Sequence, residues 1–276
     1  MKRALTIACV LAAALAAAPA ATAATQTAHS GAVSAAFTFK GSYPNYSGES
    51  LSISRSGVVA YNRPVVSSLC ETACAPASPS GKPSSVQVVD LEHNGQPDVV
   101  LGLYSGGAHC CWIDQVFSFD PATMTYVETQ RDFGDPGADI VDFAHNGHYE
   151  FLTADDSFAY EFTDYAASGL PIQILTFSSR HFRDVTRSYP KLVARDAAKW
   201  LAAFKSLSKQ HYQDSVGVIA AWAADEDLLG NSKLVARYLA AQQQAGHLNN
   251  LSPGQPAGKK FIAKLQRFLR QHGYLR

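Results

Sequence analysis

Val88-Val89-Asp90-Leu91-Glu92-His93-Asn94-Gly95-Gln96-Pro97-Asp98-Val99-Val100 returns later in the chain in altered form. The second version is Ile140-Val141-Asp142-Phe143-Ala144-His145-Asn146-Gly147-His148-Tyr149-Glu150-Phe151-Leu152. Aligned on Asp90 and Asp142, the copies lie 52 residues apart. Each reads as an apolar strand, an aspartate, a polar turn with Asn-Gly, an acid and a second apolar strand. Asn-Gly supplies the backbone freedom that a tight turn between strands needs. A repeat period of this size points to stacked β modules such as propeller blades.

Working outward, short strand-like runs surround both copies. Phe37-Thr38-Phe39, Leu51-Ser52-Ile53-Ser54 and Val58-Val59-Ala60-Tyr61 precede the first. The second of these alternates apolar and polar, as a half-buried strand does. A polar Pro/Ser loop occupies 75–85. Between the copies, Gln115–Asp120 and Thr125–Glu128 form two strands about a turn at Asp120-Pro121-Ala122-Thr123. Phe158–Phe162 and Ile172–Phe177 add strands after the second copy.

Near residue 184 the apolar period lengthens to that of a helix. Tyr189, Leu192, Val193, Trp200, Leu201, Phe204 and Leu207 share one face, with Pro190 in the first turn. Three further helices follow, ended at Gly230, Gly246 and Gly273. The expected fold is therefore α+β: an antiparallel β domain over 35–180, then a four-helix all-α domain over 181–276.

The first residues suggest export. Lys2 and Arg3 precede an apolar run from Ala4 to Ala18, and Ala21-Thr22-Ala23 matches a signal-peptidase site. That run is shorter than the ~20 residues of a membrane crossing. The expectation is a signal peptide at 1–23, a flexible leader at 24–34, a secreted product and no later membrane span. Cys9 lies in the signal segment; Cys70, Cys74, Cys110 and Cys111 remain, an even number suited to two disulfides in an oxidising compartment. Cys70–Cys74 with a vicinal Cys110–Cys111 bridge is the favoured connectivity. The alternative ties the two segments together. With 23 basic and 23 acidic residues, the chain has no basic excess to reward nucleic acid as a partner.

The repeated turn has the composition of a calcium loop, which places oxygens at positions 1, 3, 5 and 9 and a glycine at the bend. Asp90, Glu92, Asn94 and Asp98 occupy those positions in the first copy, with Gly95 sixth. Asp142, Asn146 and Glu150 occupy them in the second, where Ala144 removes one ligand. The competing reading is two metal-free turns in which Asp and Asn bond their own backbone.

These two loops between apolar strands resemble the FG-GAP repeats of integrin-α and VCBS-type proteins. The resemblance implies propeller-like blades, here a partial set, and calcium as the cofactor. Tyr104–Cys111 and Gly217–Asp225 also resemble stretches of actinobacterial secreted proteins of unknown function.

Gly106-Gly107-Ala108-His109-Cys110-Cys111-Trp112 is the least ordinary stretch. It reads either as a ligand site built on His109 and Trp112 or as a bent structural turn. Oxidised cysteines exclude a thiol nucleophile. Asp155 and Asp156 could pair with His109 or His181 in a hydrolytic site, while no Gly-x-Ser-x-Gly or His-Glu-x-x-His motif is present. Asp225-Glu226-Asp227 reads as an ion or partner site or, preferably, as a solvated face or partners of Arg195 or Lys199. The functional expectation is a calcium-stabilised secreted binding or scaffold module for an extracellular protein or envelope component. The alternative is a cell-envelope hydrolase using His109 with Asp155 or Asp156.

Overall fold

The computed structural model describes residues 23–70, 73–78, 82–209 and 214–275. Its β part is three successive antiparallel sheets. β1 (Ala23–Ser30), β2 (Val33–Ser42), β3 (Asn45–Arg55) and β4 (Val58–Pro64) form a meander. The middle sheet contains β5 (Ala75–Pro76), β6 (Val86–Val89), β7 (Asp98–Gly107), β8 (Cys110–Asp120) and β9 (Thr125–Asp132). Both β5 and β6 pair with β7. β10 (Asp139–Val141), β11 (Glu150–Ala154), β12 (Ile172–Ser178) and β13 (His181–Asp184) form a second meander. The described strands remain in these three separate sheets and do not close into a propeller ring.

The run Asp98-Val99-Val100-Leu101-Gly102-Leu103 is buried throughout, because the middle sheet is covered on both faces. Val99, Leu101 and Leu103 meet Phe37, Leu51 and Ile53 of the first sheet. Val100 and Val116 point the other way, toward Phe151, Leu175 and Phe177 of the third. A strand packed on two sides loses its polar alternation.

The internal repeat is also a structural repeat. Val89 pairs with Asp98 and Val141 with Glu150, so both hairpins close in the same register.

α1 (Pro190–Lys209), α2 (Val216–Leu228), α3 (Ser232–Gln244) and α4 (Gly258–Gln271) follow. From Val216 through Asp225 every residue of α2 is buried, so α2 is the central helix and the others cover it. Gly230, Gly246 and Gly273 all have positive φ where the sequence expects helix ends.

Several expectations change. Most of the expected signal peptide, residues 1–22, lies outside the described residues. Residues 24–34 are not a flexible leader: β1 pairs with β2 from Ala23↔Lys40 to Ser30↔Val33. The Gln26 side chain also accepts the Ser85 backbone N–H at 2.7 Å. Small Ala and Thr side chains gave β1 little apolar periodicity, and pairing supplies what composition did not.

Phe158–Phe162 is not a strand, because Phe158 and Phe162 pack on Phe261 and Phe268 of α4 instead of a neighbouring strand. β13 runs to Asp184, past the expected boundary at 180. Asp225 and Asp227 turn inward, leaving the expected solvated face. Burial, then the nearby Asp196 charge, push the Asp225 carboxyl up to about 9, with Lys199 opposing.

Candidate functional site

Three places bring together chemistry-bearing side chains. At the first, β7 and β8 meet in a tip whose register shifts between Tyr104 and Gly107, leaving Gly107 opposite Cys110. The shift projects His109 outward. Its ring stacks on Tyr165 at 4.0 Å and meets Tyr160 edge-on at 6.3 Å. Tyr160 and Tyr165 lie 5.4 Å apart, and the Tyr165 hydroxyl donates to Asp135. The result is an exposed aromatic ledge with a carboxylate at its edge.

Trp112 sits inside the same hairpin. Its indole N–H donates to Asp114 at 2.9 Å, and its ring lies so close to Gly137 that a Cβ there would approach within 3.0 Å. Burial pushes the Asp114 carboxyl up to about 7; the Trp112 N–H opposes that shift and the Asp139 charge adds to it. Trp112 and Asp135 both line a cleft of about 500 Å³. Asp135 thus joins the ledge, through the Tyr165 hydroxyl, to the cleft that Trp112 lines.

Cys70 is bonded to Cys74, with Cα atoms 5.5 Å apart. Cys111 is also disulfide-bonded. The bridge between Cys70 and Cys74 removes the connectivity that would tie the two segments together.

The second place lies where the β part meets the helices. A cavity of about 260 Å³ is lined by residues including Arg131, Asp132, Asp155, Asp156 and Gln173. Asp155 and Gln173 also line a cavity of about 420 Å³ walled by Asp184, His272 and Tyr274. Asp155 starts a 3-10 turn at Asp156–Phe158: it accepts the Ser157 backbone N–H at 3.0 Å and the Tyr274 hydroxyl at 2.7 Å. Burial raises the Asp156 carboxyl, as do the charges of Asp135, Asp132 and Asp155; the Asp135 backbone N–H counters them. The His272 ring is 3.4 Å from the Ser157 hydroxyl. No hydrogen bond joins His109 to Asp155 or Asp156 among the described residues. A chain of contacts runs from His109 through Tyr165 and Asp135 to Asp156.

Arg187 fixes this junction. Its guanidinium donates to the carbonyls of Leu228, Gly273 and Tyr274 at 2.8, 3.0 and 2.7 Å, gathering the C-terminal ends of α2 and α4. Leu228 is the last residue of α2, whose carbonyl has no partner within the helix, and Gly273 and Tyr274 lie just past the end of α4.

The third place is the pair of repeat loops. Asp90 accepts the backbone N–H groups of Asn94 and Gly95 at 3.0 and 2.7 Å, and Asn94 accepts that of Gln96 at 2.8 Å. Asp142 and Asn146 do the same for Asn146, Gly147 and His148 at 3.1, 2.8 and 3.0 Å. The remaining donors point elsewhere. Glu92 accepts the Ser179 backbone N–H, Asp98 accepts the Ser118 hydroxyl, and Glu150 accepts that of Tyr189. Among the described residues no three His, Cys, Asp or Glu side chains are grouped to hold a metal. As placed, these donors do not fit a calcium ion: Asp90, Asn94, Asp142 and Asn146 close the turns on themselves, and Glu92, Asp98 and Glu150 are engaged elsewhere.

Tyr160, Tyr165, Asp135, Arg131 and His272 were not singled out by the sequence. No spacing could have marked them, since separate segments supply them and the tertiary fold assembles them.

Comparison with known proteins gives two distant relatives. The chain is 30% identical over 155 residues to a probable thylakoid lumen protein of Synechocystis sp., covering 52% of this chain and 44% of that one. It is 24% identical over 139 residues to an uncharacterized protein of Sinorhizobium fredii, covering 50% of this chain and 22% of that one. The chain thus spans less than half the length of either relative. No protein-family model matches it, and no solved structure does. No helix among the described residues is long and apolar enough to cross a membrane.

Proposed function

We propose that this protein is an exported binding or scaffold module whose ligand surface is the His109–Tyr165–Tyr160 ledge. The ledge itself carries the reading. Three rings are held together at the surface, Tyr160 half exposed, beside a carboxylate that also borders the Trp112 cleft. Rings with one apolar and one wet side are costly to leave uncovered and recur in binding surfaces. Export is supported by the Cys70–Cys74 bridge and by the lumenal compartment named for the Synechocystis relative.

The test is retention of separated cell-envelope glycan and protein fractions on the immobilised protein and on a His109→Ala/Tyr160→Ala double variant. Retention of one fraction, lost in a variant that melts normally, supports the ledge. Equal retention by both proteins, or none, removes it.

Calcium belongs to this reading only through a rearranged first loop, with Glu92 released from Ser179. Calorimetric titration of the protein and of Asp90→Ala tests that part separately.

An envelope hydrolase is the second reading, with Asp156 as its favoured acid in place of a direct His109 pairing. A carboxyl raised by burial and like charge beside a cavity suits a general acid. Hydrolysis of an envelope fraction that Asp156→Asn abolishes is the result this reading requires.

A further inference from the structure

Among the described residues Arg131 has no hydrogen-bond or ion-pair partner, although carboxylates are plentiful around it. Its guanidinium lies over the rings of Phe133 and Phe182, 5.4 and 5.5 Å from their centroids. Its Nε is buried without a hydrogen bond, and no bond or ion pair engages the group among the described residues. Yet Asp132, Asp155 and Asp184 are near enough to act on it electrostatically. Arg131, Asp132, Asp155 and Asp156 line the cavity of about 260 Å³, which shares Asp155 and Gln173 with the larger one that Asp184 lines.

The charges select what can enter. A cation is drawn by Asp132, Asp155, Asp156 and Asp184 but must displace or face Arg131. An anion is drawn by Arg131 but must face four carboxylates. A hydroxyl escapes both conflicts, because the same oxygen accepts from a guanidinium and donates to a carboxylate. The Asp156 oxygen that is buried without a donor adds a further place for such a group. Several hydroxyls on one compact ring can use Arg131, the carboxylates and Gln173 together without net charge. The two cavities together have the size of a small-molecule site, which is typically ~300–1,000 Å³.

We propose that the Arg131 cleft binds a neutral saccharide unit whose hydroxyls bridge the guanidinium to the surrounding carboxylates. This site is separate from the His109 ledge and does not depend on it.

The experiment screens the full protein on an array of neutral oligosaccharides, then titrates the strongest binder, putrescine and succinate by calorimetry. Arg131→Lys keeps the charge and removes the planar fork. Asp132→Asn keeps an acceptor for the Gly134 N–H, which Asp132 now bonds at 2.8 Å. Saccharide binding that weakens at least tenfold in both variants, with unchanged melting, supports the inference. An empty array overturns it, as does tighter binding of putrescine or succinate. A saccharide lost in Tyr160→Ala but kept in Arg131→Lys also overturns it, by assigning the ligand to the ledge.

Discussion

In the first repeat hairpin Asp90 closes a turn through the N–H groups of Asn94 and Gly95; in the second Asp142 does so through Asn146 and Gly147. His93 and His145 take positive φ at the same place, as do Gly95 and Gly147. The surroundings differ. The ninth-position acid of the first hairpin is buried against β8, while that of the second reaches Tyr189 just before α1. The His93 side chain also fills the space over Gly147, and its ring lies 5.2 Å from His148. Aspartate, asparagine and glycine set the turn, and the neighbouring elements set what each acid does.

The glycines should break this likeness most sharply. A Cβ at Gly147 would lie 2.2 Å from His93 Nδ1, at a φ of +84°, whereas Gly95 at +75° has nothing within 4 Å. Gly95→Ala should cost only the left-handed penalty, about 1–2 kcal/mol. Gly147→Ala should cost about 3 kcal/mol, since overpacking adds to that penalty. Urea unfolding measures both. Adding His93→Ala should recover about 1 kcal/mol of the Gly147→Ala loss and nothing of the Gly95→Ala loss. Equal costs at the two glycines would mean that the loops do not touch.

A smaller effect separates the ninth-position acids. Burial pushes the Asp98 carboxyl up to about 7, helped by the charges of Glu92 and Asp90 and opposed by the Ser118 hydroxyl and the Leu91 N–H. A raised folded pKa means the folded state holds its proton more tightly than the unfolded chain does. The resulting stability is complete below the ordinary aspartate value and disappears as pH rises through about 7. Asp98→Asn, which can still accept from Ser118, should melt like the parent near pH 4 and a few degrees higher near pH 8.5. Thermal melting across that range checks it; a constant difference at every pH would count against a buried, titrating Asp98.

The turns and the four helices were legible because their causes are local. Asn-Gly, a proline at a first helical turn and glycines at helix ends act through the backbone within a few residues. β1 was missed because its strand character comes from pairing with β2. Phe158 and Phe162 were misread because alternation around Tyr160 looks like a strand until α4 supplies their partners. The ledge was half legible: His109 stood out in a Gly-rich tip, while Tyr160, Tyr165 and Asp135 arrive from other segments. Loop spacing suggested calcium ligands, yet spacing does not say where Glu92 points, and Ser179 takes it.

The smallest expected effect compares the closing aspartates themselves. Backbone N–H groups, first that of Gly147 and then those of Asn146 and His145, hold the Asp142 carboxyl below the usual range. Stability from a lowered folded pKa is present above the unfolded value and lost as pH falls through the folded one. Asp142→Asn replaces one acceptor with a donor, so it should lower the melting temperature at pH 7. That difference should shrink as pH falls below about 4, the ordinary aspartate value. Its exposure and solvent screening keep the effect small. Asp90→Asn, made in a turn with the same bonds, should also lower the melting temperature at pH 7 in chelator. If calcium then enlarges the Asp90→Asn effect and leaves Asp142→Asn unchanged, the first loop holds an ion that the second, with Ala144 in place of a donor, does not. If calcium changes neither, the hairpins differ only in what they pack against.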